Sequence, residues 1–286
     1  MITAKVIEDS TSEDGVRLTT LQLKYPRLVH SEFMTHRVFS RNASSSRAIP
    51  VAKMIEMVRT DPAMPVHWGS NKPGMQAGEE LSGANKEYAI ALWIKAANQA
   101  ADIAETMMRM GLHKQVANRI LEPFQHIHVV VTATEFDNFF ALRDHEAADP
   151  NIQVIARAMK AAMEGSTPII LGSGEWHLPY VTVQERVEFG RSAAGYELLC
   201  KLSAARCARV SYLKHDGGKP NIEDDLKLYD RLVGAMPIHA SPVEHQATPD
   251  TWMGNGFNQG WGCPGLHGNF VGWIQNRKLV EQQFAH

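Results

Sequence analysis

The local signals of this 286-residue chain predict an α+β fold, a mixed sheet with long helices, in one unit spanning 1–286. Three observations predict it: a hairpin pattern opens the chain, a β-branched run near residue 130 reads as a buried strand, and the helical periodicities around them show no regular βαβ alternation. The composition, 44% hydrophobic and 21% charged, is that of an ordinary globular protein with material for one large core or two modest ones. A net charge of -2 supplies no global basic field. No nucleic-acid polymer is therefore expected as a partner, while a local site for one mononucleotide is compatible with that charge. No apolar run approaches the roughly 18 residues that span a bilayer, and the start MITAKVIEDS lacks a signal-peptide core. A cytoplasmic protein without a membrane partner is expected. Cys200, Cys207 and Cys263 have no CxxC spacing, so they are expected to be reduced and largely buried.

In chain order, ITAKVIEDS and VRLTTLQLKY flank the turn signal Asp14-Gly15 as a hairpin. Pro26 ends the second strand, and RLVHSEFMTHRVF has apolar residues at helical spacing, which predicts a short helix delivering His36 and Arg37 to a polar loop. Pro50 then suits the first position of a helix, PVAKMIEMV. Residues 61–83, rich in Pro, Gly and Met, form a long excursion without a decisive motif. Asn85 to Met110 is the longest helical pattern, with Tyr88, Leu92, Ile103 and Met107 near one stripe and Gly111 as its stop. A second helix carries Arg119 into RILEP, and QHIHVVVTAT follows as the β-branched strand. His126 and His128 share a face of that strand without a third nearby ligand, so they read as packing or hydrogen-bonding residues, and no metal is expected. Thr134 followed by Asp137 looks like a capping box for the helix FDNFFALR, whose last turn presents Arg143. Asp149-Pro150 opens NIQVIARAMKAAM, 166–192 is loop-rich, and AAGYELLCKLSAARC should be helical and lead into a strand ARVSYL. After a turn at 216–220 comes the helix DDLKLYDRLVGA, then IHASPVEHQATP. The final 37 residues hold seven glycines and three tryptophans, enough to predict an irregular, tightly wound segment before a helix-like end, GWIQNRKLVEQQF.

Residues 36–47, HRVFSRNASSSR, stand out from this pattern. Three arginines, a histidine, an asparagine and four serines crowd into twelve residues, too polar a mixture for a core. A solvated loop is the plain reading of a serine-rich run. Guanidinium forks beside small hydroxyls and backbone N–H groups also make a cradle for phosphate oxygens.

The run resembles the signature of the flavin-dependent thymidylate synthases, an Arg-His-Arg triplet followed after seven residues by a serine, a small residue and an arginine. Here Thr35-His36-Arg37 stand for the triplet, and Ser45, Ser46 and Arg47 follow. RILEP resembles the family's arginine-to-proline element, and NFFALR its N-x-x-x-L-R helix. ARVSY and HASPVEH resemble segments that the family carries before the signature, yet here they come after it. The resemblance therefore implies a circular permutation, with 190–250 matching the family's N-terminal segment and packing beside the signature.

What the resemblance implies is a flavin-dependent thymidylate synthase-like fold and FAD/NADPH-dependent reductive methylation of dUMP to dTMP, with methylenetetrahydrofolate supplying the carbon. Arg143 would be catalytic and face the pyrimidine, since a guanidinium at its N3 and carbonyl edge stabilises the charged ring that reacts at carbon 5. Ser45, Ser46, Arg47 and Arg119 would hold the nucleotide phosphate. His36, Arg37, Asn42, Asn138, Ser211, Ser241 and Glu244 would contact FAD, and His239 would lie by the folate. Family members are homotetramers whose sites draw on several subunits. Three positions depart from the pattern: Thr35 replaces the first arginine, Ala43 a glutamate, and Thr134 a flavin-contacting arginine. Glu32 stands where an amide usually touches the nucleotide. A carboxylate can accept from the exocyclic amine of cytosine, which leaves a second expectation, folate-dependent 5-hydroxymethylation of dUMP or dCMP with altered or lost flavin use. A cysteine-nucleophile route through Cys263 has no assignable base in the sequence.

Overall fold

A computed structural model describes residues 1–210, 221–234, 236–255 and 258–284. Strands β1 (Thr3–Ser12) and β2 (Arg17–Pro26) form the expected antiparallel hairpin, whose turn needs Gly15 at φ +82°. The short helix after Pro26 is briefer than its sequence pattern: a 3-10 turn at Arg27–Val29 and α1 (His30–Phe33) end before His36, which sits in the turn that follows. The polar run is then not a loop throughout. Ser40–Ala43 is a strand, β3, paired antiparallel with β4 (His126–Ala133). Nor is it solvated throughout: His36, Ser40, Asn42, Ser44 and Ser46 are buried, while Arg37, Val38 and Arg47 are exposed.

Helix α2 (Val51–Thr60) has Pro50 as its N-cap instead of its first residue, and α3 (Gly83–Arg109) packs on it. The predicted stripe of α3 is overturned: Tyr88, Leu92 and Ile103 are exposed, while Ala97, Ala101 and Ala104 face α2. Small side chains let the two backbones approach, so the alanines form the inner face. Helix α4 (Lys114–Ala117) and a 3-10 turn (Asn118–Phe124) carry Arg119. Helix α5 (Asp137–Arg143) lacks the predicted capping box; the Thr134 hydroxyl accepts from the Val271 N–H at 3.0 Å instead. Helix α6 (Pro150–Glu164) begins as expected, with Asp149 capping the Asn151 N–H. The loop-rich stretch contains β5 (Ile169–Leu171) and α7 (Val183–Phe189), which has a true capping box from Thr182 and Glu185.

Helix α8 (Ala193–Arg209) runs through the first residues of the expected strand ARVSYL. The rest of that strand, with Ser211, and the turn at 216–220 lie outside the described residues. Helix α9 (Ile222–Val233) is capped by Asn221. The tail consists of β6 (Ala247–Pro249), β7 (Trp252–Asn255), β8 (Asn258–Trp261), β9 (Trp273–Gln275) and α10 (Asn276–Gln283), so the helix-like end begins four residues late, after a strand.

The main sheet has the order β3-β4-β2-β1-β5, antiparallel except for β1 and β5. Its two faces follow the period of two. Leu21, Leu23, Tyr25, Ile127, Val129 and Val131 meet Phe33, Phe39, Phe139 and α6 on one face. Val130 meets Cys207 and Val210 on the other. There a buried polar chain crosses the sheet, from Ser10 to Nδ1 of His177, from its Nε2 to Thr20, and on to Thr132 and Nδ1 of His245, each step between 2.7 and 2.9 Å. Nε2 of His245 is buried without a partner among the described residues.

Candidate functional site

Three groups of side chains surround the run 36–47. The first is built on α1 and α5. Because Phe33, Phe39 and Phe139 pack edge to edge, the end of α5 is held over the turn after α1. Arg143 donates from Nε to His36 Nε2 at 2.9 Å, from Nη1 to Glu32 at 3.1 Å and from Nη2 to the Thr35 hydroxyl at 3.3 Å. His36 can accept because its pKa is lowered, chiefly by burial and then by the charges of Arg143 and Arg41. A guanidinium has five N–H donors, so two remain on Arg143 for a ligand. Arg143, Glu32 and His36 are thus brought together. Asn138 is exposed on the same helix.

The second group joins the end of β3 to the RILEP turn. Ser46 donates to Glu122 at 2.6 Å, and Arg119 donates to the same carboxylate oxygen at 2.9 Å. Asn118 holds the turn through the Ser46 carbonyl at 2.7 Å. The Ser45 hydroxyl accepts from the Arg47 N–H at 3.3 Å, and the exposed Arg47 has no ion pair among the described residues. Glu122 is a residue that sequence reasoning missed. It lies within RILEP, and only the fold reveals that its carboxylate bridges Ser46 to Arg119.

The third group brings the HASPVEH segment to the same run. The Ser241 hydroxyl donates to Asn42 Oδ1 at 3.3 Å, and Asn42 Nδ2 donates to the Cys207 carbonyl at 2.6 Å. Asn42, Ser45, His239 and Ser241 line one cavity of ≈ 160 Å³. Arg37 and Glu244 line a second groove, of ≈ 400 Å³, with Arg41, Arg277 and Lys278. Its donor set fits the phosphates of a dinucleotide such as FAD. A larger cavity, ≈ 540 Å³ beside Trp176, Tyr196, Tyr229 and Phe284, contains none of these residues, so size is a poor guide to chemistry here.

Cys200 and Cys207 are buried thiols, and burial raises their pKa. Cys263 is exposed, against expectation. The nearby His267 is no free base for it: Nε2 bonds Asp250 at 2.8 Å, and Nδ1 accepts from the Gly272 N–H at 3.3 Å. His126 lies 3.6 Å from Asp61, and burial first, then nearby cations, bring its pKa down to about 4. Among the described residues no group of three or more potential metal ligands occurs, and no helix is long and apolar enough to cross a membrane.

A model of the family described as thymidylate synthase complementing protein matches residues 17–169. No curated protein matches the chain. Among solved structures, the UMP/dUMP methylase PolB from Streptomyces cacaoi bound with 5-Br UMP is similar at 16% identity and a TM-score of 0.47, over 57% of this chain and 88% of that one. The same methylase bound with 5-Br dUMP gives 16% identity and a TM-score of 0.47, over 57% of this chain and 90% of that one.

Proposed function

From the membership of this chain in the thymidylate synthase complementing protein family, whose model covers residues 17–169 of its 286, we propose that it moves a one-carbon unit from methylenetetrahydrofolate to carbon 5 of a pyrimidine deoxynucleotide. The reaction is FAD- and NADPH-dependent reductive methylation of dUMP to dTMP in the cytoplasm. The observation that carries this reading is Arg143, fixed on three sides with two donors unused. Fixed donors stabilise charge developing on the uracil ring without having to reorganise. Neutral His36 orients Nε, and Glu32 and Thr35 set the plane of the guanidinium. Arg47 and Arg119, with the backbone of Ser45 and Ser46, hold the phosphate. Asn42, His239, Ser241, Arg37 and Glu244 hold folate and flavin, with Asn138 as a further flavin contact; Ser211, the other flavin contact the resemblance implies, lies outside the described residues. When bound, the reduced flavin supplies the hydride that completes the methyl group.

Contact between HASPVEH and the signature supports the permuted arrangement, one unit in which 190–250 plays the part of the family's N-terminal segment. The exposed stripe Tyr88, Leu92 and Ile103 supports a homotetramer in which other copies cover α3. Light scattering that gave the mass of one chain at micromolar concentration would remove that part of the reading. A second reading, 5-hydroxymethylation of dUMP or dCMP with altered or lost flavin use, is favoured by one contact: Thr134, which stands where the resembled family commonly has a flavin-contacting arginine, is covered by the Val271 N–H.

Purified protein separates the two. Flavin absorption at about 450 nm together with dTMP formation supports the first reading. Colourless protein that releases tritium from carbon 5 only when folate is present supports the second. Absence of tritium release from either nucleotide, with all cofactors supplied, refutes both.

A further inference from the structure

The tail does more than cover the fold. Asn269 donates to the Val38 carbonyl at 2.7 Å and accepts from the Ser40 hydroxyl at 3.1 Å. Gln275 donates to the same hydroxyl at 3.1 Å and to the Glu244 carbonyl at 3.0 Å. These bonds dock the start of α10 against β3, and so bring Arg277 and Lys278 into the groove that Arg37 and Arg41 already line. Arg277 is held in place by Glu244 and Glu281, and Lys278 pairs with Glu281 at 3.1 Å. Arg41 gives Nη1 to the carbonyls of Met34 and His36, and among the described residues neither Arg37 nor Arg41 has an ion pair.

Four cations thus face one groove whose only acidic lining residue among those described is Glu244, in a chain whose net charge is -2. Glu244 and Glu281 offset part of this charge through Arg277 and Lys278, while Arg37 and Arg41 have no ion pair among the described residues, so the groove keeps a positive excess that an anion would neutralise. The groove, ≈ 400 Å³, has room for more than one phosphate, and guanidinium forks suit phosphate oxygens. Arg277 and Lys278 lie outside the matched segment 17–169. We infer that Arg277 and Lys278 of the C-terminal helix, with Arg37 and Arg41, bind the pyrophosphate of a dinucleotide cofactor. They supply from the tail positive charge where the resembled family has arginines and this chain has Thr35 and Thr134. The inference rests on the proposed function only for the identity of the cofactor.

The test uses the full chain and calorimetric titration with ADP-ribose, which carries a pyrophosphate without a flavin, and with FAD and dUMP. Wild type binds ADP-ribose, with affinity that falls steeply as salt rises. Lys278→Gln and Arg277→Gln each weaken ADP-ribose and FAD about tenfold, Arg277→Lys restores part of the loss, and dUMP binding stays as in wild type. Lys278 is partly exposed, so its variant remains informative if Arg277→Gln does not fold. Variants that bind ADP-ribose like wild type, or a wild type that binds neither ADP-ribose nor FAD, overturn the inference. So does a loss confined to a polyglutamylated folate, which would assign the cations to carboxylates instead. dUMP binding without ADP-ribose binding defeats this inference alone, whereas ADP-ribose binding without dUMP binding defeats the functional reading alone.

Discussion

At the scale of single residues, the proposed function makes the guanidinium of Arg143 decisive for the chemistry. Lysine at this position would keep a charge but could not bond His36, Glu32 and Thr35 while offering two further donors to a ring edge. Arg143→Lys should therefore lower kcat by about 10² to 10³, the usual loss for a donor aimed at developing charge, with a smaller change in KM. Steady-state kinetics with dUMP check this, and an unchanged kcat would remove Arg143 from the chemistry. The place of Arg143 at the end of its helix was legible in the sequence because that helix carries a recognisable motif. Its partnership with Glu32 was not, since residues more than a hundred positions apart meet only through the packing of Phe33, Phe39 and Phe139.

At the scale of elements, β3 shows why a periodicity can be present and still go unread. Ser40, Asn42, Ser44 and Ser46 alternate inward with a strand's period, but hydrophobic patterning looks for apolar side chains at those positions. The inward residues are instead bonded to Asn269, Cys207, the backbone of His128 and Glu122. The hairpin, α2, α6 and β4 were legible because their apolar periods agree with their burial. In α3 Tyr88, Leu92, Ile94 and Ile103 are exposed while the buried positions are alanines, with Trp93 and Met107 packed only in part, the reverse of the usual pattern. The strands meet the C-terminal block through Thr132, which bonds Thr20 at 2.7 Å and His245 at 2.8 Å. Thr132→Val keeps the shape and leaves His245 with no partner on either nitrogen, which should cost about 1–3 kcal/mol. Urea unfolding measures it, and a midpoint equal to wild type would show that the chain contributes nothing.

At the scale of the whole molecule, acid should loosen the fold before it titrates most carboxylates. Burial lowers the pKa of His36, His177 and His245, the last to about 3. Unfolded histidine titrates near about 6.5, so below that pH the unfolded chain binds more protons and stability falls as pH drops. His245 alone accounts for about 2 kcal/mol between pH 7.5 and 5. Equal urea midpoints at those two pH values would contradict this. The tail was the least legible part, because the contacts that give its glycines and tryptophans a place join residues separated by most of the chain, as in Asn269 with Val38 and Trp273 with Val16. The orphaned Nε2 of His245 reaches equally far. A buried N–H without an acceptor is rarer than a bare lone pair, so the hydrogen of His245 belongs on Nδ1. That choice orders every proton along the line: His245 donates to Thr132, Thr132 to Thr20, Thr20 to Nε2 of His177, and His177 from Nδ1 to Ser10. One missing partner in the C-terminal block thereby selects the tautomer of a ring on the far side of β4 and β2.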